Sequence, residues 1–196
     1  MRVIGITGGV GCGKSSVMDE FAKTYPSWII KADDVAKELM KKNGTAWVKI
    51  RDVFGESILK DDGEINREHL AQVVFNNKNK LMVLNSIVHP SVKKKIMEDV
   101  TKYRIDDSKK YCLVEAALLI EDHYEVICDE FWYIYSDEAV RRERLKSSRG
   151  YSDEKIDSML KNQMSEEKFR QACRYTIDNS KTMADTMEQI KKILED

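Results

Sequence analysis

Short apolar runs alternate along this chain with longer stretches in which apolar residues recur at helical spacing. Val3-Ile4-Gly5-Ile6 is the first run; Val17, Met18, Phe21 and Ala22 then follow the period of a helix, so the opening reads strand, glycine-rich loop, helix. Trp28-Ile29-Ile30, Cys112-Leu113-Val114, Phe131-Trp132-Tyr133-Ile134-Tyr135 and Tyr175-Thr176-Ile177 each have the length of a buried strand. Strands that are apolar on both faces and separated by helical segments predict a parallel sheet covered by helices on both sides, an α/β/α fold of three layers with five strands.

Two intervals are too long for simple crossovers. Residues 35–110 carry several amphipathic patterns, among them Val35 to Leu39, His69 to Phe75 and Leu81 to Val88, and are expected to form a helical substrate insert. Residues 136–165 are expected to form a helical lid, leaving 1–34, 111–135 and 166–196 as the core of a single domain. In the lid, Ser136 is expected to cap a helix with an acidic first turn (Asp137, Glu138) and a basic body (Arg141, Arg142, Arg144, Lys146). Arg141 and Arg144 share a face at i, i+3. A second lid helix is expected near Ser152-Asp153-Glu154.

Composition narrows the class without choosing a function. A chain of 196 residues buries a full core without crosslinks, and its four cysteines show neither CxxC pairing nor zinc-ligand spacing, so they read as reduced thiols. With 33 basic against 34 acidic residues no global field draws the protein to nucleic acid or membrane, and neither partner is expected. No apolar stretch approaches a membrane span and Met1-Arg2 leaves no room for a signal peptide, so a soluble cytoplasmic protein is expected. The oligomeric state is left open.

The chemistry concentrates in Gly8-Gly9-Val10-Gly11-Cys12-Gly13-Lys14-Ser15, a GxxxxGKS loop between a strand and a helix. Glycines let successive backbone N–H groups converge on phosphate oxygens, and the following helix adds its positive end. Gly9, Gly11, Cys12, Gly13, Lys14, Ser15 and Ser16 are therefore the candidate nucleotide-binding residues, with Lys14 on the terminal phosphates and the Ser15 hydroxyl on magnesium. ATP is the expected co-substrate, with Mg2+ as its ion. Cys12 fills a variable loop position where a small side chain fits; a helix end and a nearby lysine also raise the idea of an oxidation-sensitive thiol. Asp33 ends the second strand, where ligands of parallel sheets collect, and suits either a magnesium-bound water or the proton of an attacking hydroxyl. Asp34 competes for that role, and capping of the helix from Val35 is the plain reading of either.

Taken in order, the glycine loop, Lys31-Ala32-Asp33, Phe54-Gly55, Asp62-Gly63, Ile65-Asn66-Arg67, Val88-His89-Pro90, Leu118-Leu119-Ile120-Glu121, Arg144-Leu145, Gln163 and Ile177-Asp178-Asn179 resemble dephospho-CoA kinase across the whole chain. The resemblance implies a P-loop kinase that moves the γ-phosphoryl group of ATP to the ribose 3′-hydroxyl of dephospho-CoA. It implies Asp33 as base and metal contact, Arg67 and His89 in acceptor binding, and Arg141 and Arg144 with Lys14 in catalysis. Some positions depart from the family pattern: Lys31 for the usual Asp, Ala117 for Pro, Cys173-Arg174 for Ala-Asp, and Ser148 for an arginine, with Arg149 one place later. They leave the roles of Lys31 and Arg149 open. His89-Pro90 also reads as a helix-end turn, and Arg67 as a solvated charge.

Three other readings stand beside this one. Another small-metabolite or nucleotide kinase would share the core. A GTP-dependent switch finds a DxxG string in Asp52-Val53-Phe54-Gly55, but the string sits inside the insert and no NKxD follows a later strand. A protein that only binds nucleotide would have the loop without the transfer.

Overall fold

A computed structural model describes residues 1–75 and 77–195. The five apolar runs are strands β1 (Arg2–Thr7), β2 (Ser27–Lys31), β3 (Tyr111–Glu115), β4 (Glu130–Tyr135) and β5 (Tyr175–Asp178). They form one parallel sheet in the order β2-β3-β1-β4-β5. β1 lies at the centre, pairing with β3 on one side and β4 on the other, and Val3 to Thr7 are all buried. Central placement is what its unbroken apolar run requires, because a strand covered on both faces has no polar side to show. The strand order reverses at β1, so the loop after it opens where open α/β sheets bind ligands.

Contacts divide the chain into two compact units, Met1–Ile29 with Tyr103–Asp196, and Ile30–Lys102. In the first unit, helix α1 (Lys14–Thr24) lays Val17, Met18 and Phe21 against Ile4, Ile6, Leu113, Trp132, Ile134 and Ile177. Ile190 of the last helix (Met183–Glu195) joins the same cluster. Buried Glu130 takes Arg2 at 2.7 Å, the Trp132 indole N–H at 2.7 Å and Arg174 at 3.3 Å. Arg174, a departure from the family pattern, thus neutralises a core carboxylate, and Cys173 beside it packs on Tyr133 and Phe169.

The second unit has its own core. Helices α2 (Ala32–Leu39), α3 (Thr45–Phe54) and α4 (Arg67–Phe75) and the start of the long α5 (Lys78–Asp106) gather around Trp47, Ile50, Ile58, Ile65 and Leu70. The Trp47 indole donates to the Gly63 carbonyl at 3.0 Å, which ties the Asp62-Gly63 turn to that core.

Two local expectations are corrected. Ser136 does not cap the next helix, α6 (Glu138–Arg149): Asp137 holds the N-cap position, and the buried Ser136 hydroxyl donates to the Cys12 carbonyl at 3.2 Å. His89-Pro90 does not end a helix either. Pro90 lies inside α5, which runs on through Val92, Ile96 and Val100, all buried; packing of that face outweighs the hydrogen bond that proline cannot make. Ser152, by contrast, caps α7 (Asp153–Asn162), its hydroxyl accepting from Lys155 N–H at 3.4 Å. Among the described residues no helix is long and apolar enough to cross a membrane.

Candidate active site

Gly13 is the N-cap of α1, with φ 87°, a left-handed conformation that glycine adopts freely. A Cβ there would also lie 2.5 Å from Asn179 Nδ2, so both the backbone angle and the space demand glycine. No side-chain hydrogen bond caps the helix, and an uncapped helix N-terminus is of the kind that suits an anion. Lys14 Nζ arches over the loop, donating to the carbonyls of Gly8 at 2.9 Å and Gly9 at 3.3 Å. Ser15 and Ser16 are exposed at the helix mouth. The Ser15 hydroxyl donates to Glu115 Oε2 at 3.0 Å, bringing a hydroxyl and a carboxylate together at the end of β3.

Glu115 carries no role in the sequence reading. Its signal is position: it is the acidic residue closing the apolar run Cys112-Leu113-Val114, and β3 proves to be the neighbour of β1.

The Cys12 side chain is 1% exposed and packs in the sheet core. Its sulfur is therefore shielded from solvent oxidants, in keeping with the packing reading and against the oxidation-sensitive one. The Cys12 carbonyl accepts hydrogen bonds from Ser136 Oγ at 3.2 Å, Arg144 Nη1 at 3.4 Å and Asn179 Nδ2 at 2.8 Å.

The shared face of α6 brings Arg141 and Arg144 to the same loop. Arg141 Nε donates to the Val10 carbonyl at 2.8 Å and its Nη2 to Gln163 Oε1 at 2.9 Å; that oxygen also accepts the Val10 N–H at 3.1 Å. Gln163 follows α7, so both helices of the 136–165 segment hold the loop. Between them, Arg142 pairs with Glu138 and Asp157, and Lys146 with Asp153 at 2.7 Å. These pairs are solvated and contribute little each. Arg149 turns away to the Tyr151 ring, 5.9 Å from its centroid.

In the second unit Asp33 and Asp34 lie in the first turn of α2, where carboxylates suit the helix dipole. Lys37 donates to Asp34 at 2.7 Å, and that bond, more than any other influence, raises the Lys37 ammonium above its ordinary pKa. Asp33 acts on Lys37 in the same sense and Arg67 in the opposite one, so these four charges share one neighbourhood. The Asp34 carboxyl is held below its ordinary pKa by the Lys37 hydrogen bond first and by the charge of Lys31 least. Lys31 thus bears on Asp34. Arg67 opens α4 and is exposed, whereas His89 is half-buried midway along α5.

Comparisons with known proteins agree with one another. The sequence profile described as dephospho-CoA kinase matches residues 2–185. The dephospho-CoA kinase of Carboxydothermus hydrogenoformans is 35% identical over 198 residues, covering 100% of this chain and 94% of that protein. Among solved structures, dephospho-CoA kinase from Campylobacter jejuni superposes with TM-score 0.73 at 26% identity, covering 100% of this chain and 96% of that one. Protein TT1252 from Thermus thermophilus shares the fold, with TM-score 0.80 at 24% identity over 99% of this chain and 96% of that one.

Proposed function

The chain belongs to the dephospho-CoA kinase family, and from that premise we propose that it carries the γ-phosphoryl group of ATP to the ribose 3′-hydroxyl of dephospho-CoA, using the loop 8–15 on the donor. The observation that carries the reading is the loop itself, set between β1 and α1 with Lys14 arched over it and Arg141 and Arg144 bonded to its carbonyls. Phosphoryl transfer asks a protein chiefly to position the groups and to neutralise charge, and these residues are suited to both.

Lys14 and Arg141 place positive charge against the terminal phosphates. The pair of hard oxygens at Ser15 and Glu115 fits magnesium, which prefers such donors and keeps several waters. Ser15 and Glu115 would hold the ion, which would supply positive charge to offset that of the phosphates. Asp33 accepts the proton of the ribose hydroxyl, and the same carboxylate would help to hold the hydrated ion. Arg67 and His89 contact the acceptor, Arg67 through a fork of donors that matches phosphate oxygens. The segment 136–165 acts as a lid that keeps water from competing with the ribose hydroxyl. A cytoplasmic location belongs to the same proposal.

The test is release of ADP that depends on dephospho-CoA, followed by a coupled assay in ATP and magnesium. ADP release that is indifferent to dephospho-CoA would contradict the assignment.

A further inference from the structure

Asn179 follows β5, and its side chain is buried, 3% exposed, with both ends of the amide engaged. Nδ2 donates to the Cys12 carbonyl at 2.8 Å, and Oδ1 accepts from the Thr186 hydroxyl at 2.9 Å. The first partner settles which way the amide is turned, because a backbone carbonyl only accepts. Its backbone is fixed as well: the Asn179 N–H donates to the Tyr135 carbonyl at 2.8 Å, and its carbonyl accepts from Arg144 Nη2 at 2.9 Å.

Three donors, from Ser136, Arg144 and Asn179, therefore converge on one loop carbonyl. The peptide joining Cys12 to Gly13 is trans and planar, so its N–H points opposite to its C=O. Drawing the Cys12 oxygen toward Asn179 turns the Gly13 N–H the other way, away from these donors. Left to itself, a glycine-rich peptide rotates easily and would aim that N–H in many directions.

We infer that Asn179, braced by Thr186, is a positioning residue that holds the Cys12–Gly13 peptide so that the Gly13 N–H is preset toward the ATP phosphates. The inference deepens the proposed function and rests on its reading of the loop as the phosphate site. Arg144 takes a second role here: its guanidinium ties the Cys12 carbonyl to the Asn179 carbonyl and so links α6 to this clamp. Preset donors need no reorganisation when charge arrives, which is why their orientation bears on phosphate binding. The residues proposed for the acceptor, Arg67 and His89, belong to the second unit, so acceptor binding is the readout expected to stay unchanged.

The experiment compares the full-length parent with Asn179→Ala and Thr186→Val. ATP affinity is measured by calorimetry with magnesium, the Gly13 amide resonance is followed during ATP addition, and KM is determined for ATP and for dephospho-CoA. Losing the donor to Cys12 is expected to weaken ATP binding about tenfold in Asn179→Ala. The ATP-induced displacement of the Gly13 amide should shrink, and KM for dephospho-CoA should stay where it was. Thr186→Val should shift the same two ATP readouts in the same direction by less. A purely structural Asn179 would lower Tm while leaving ATP affinity and the Gly13 displacement of the folded variants unchanged, and that result overturns the inference. An equal rise in both KM values overturns it too. If Asn179→Ala does not fold, Thr186→Val decides by the same criteria. A parent that binds ATP but does not phosphorylate dephospho-CoA would defeat the functional reading alone, because calorimetry and the Gly13 resonance would still judge the clamp.

Discussion

The Ser15 hydroxyl and Glu115 Oε2 meet at 3.0 Å, joining the start of α1 to the end of β3. The pairing sets a hydroxyl beside a carboxylate, two hard oxygen donors of the type that the proposed magnesium prefers.

Replacing Glu115 by Gln should keep the hydrogen bond to Ser15 and remove the charge. Turnover is expected to fall roughly ten- to hundredfold at fixed magnesium, with part of the loss recovered as magnesium rises. A magnesium titration of initial rates checks this. An unchanged titration curve would show that Glu115 takes no part in magnesium binding.

Lys14→Ala removes the ammonium that spans the loop. Turnover should drop by about 10²- to 10³-fold, the scale of losing one preorganised donor at developing charge. Asp33→Asn should cost about 10²- to 10⁴-fold if the carboxylate takes the proton. Thermal melts should move little in either variant, since Lys14 is half-buried and Asp33 exposed. Single-turnover rates with saturating substrates give the measurement, and full activity in Asp33→Asn would reduce that residue to a helix-end carboxylate.

Gly9→Ala tests what the seat of Arg141 on the loop is worth. A Cβ at Gly9 would lie 2.5 Å from Arg141 Nη2 and 2.8 Å from Gln163 Oε1. Those are ends of side chains that can swing aside, so the protein should fold while Arg141 loses its place. The expected result is lower turnover than the parent with a near-parental melt. In Arg141→Lys the same substitution should cost less, because residues in contact are not additive.

Thiol reactivity supplies a check that is independent of catalysis. All four cysteines are buried, and burial pushes the thiols of Cys128 and Cys173 up to about 12, keeping them protonated and poor nucleophiles. Native protein should react negligibly with Ellman's reagent at neutral pH, and denaturant should release four thiols per chain. Rapid labelling of Cys12 in the native protein, with loss of activity, would restore the oxidation-sensitive reading.

The sequence disclosed what is local. The strand, loop and helix at residues 2–24 were readable because glycines, Lys14 and Ser15 stand at fixed spacing beside an unbroken apolar run. What depends on strand order was not readable. Glu115 gains its meaning only when β3 lies next to β1, and Asn179 only when the turn after β5 comes under Cys12. Ser136 departs from its expected place for a related reason: serine before an acidic turn suits a cap, yet its hydroxyl has a buried loop carbonyl to satisfy and leaves the cap to Asp137. Pro90 looked like an end because local geometry disfavours proline in a helix, whereas the packed face at Val92, Ile96 and Val100 carries α5 through it.

The proposed activity turns on the identity of the acceptor, which a mass-spectrometric acceptor screen decides. Purified protein with ATP and magnesium is offered dephospho-CoA, adenosine and nucleoside monophosphates. Dephospho-CoA is expected to gain one phosphoryl group and become coenzyme A, far faster than any other acceptor. Phosphorylation of adenosine or a nucleoside monophosphate with dephospho-CoA left untouched would contradict it.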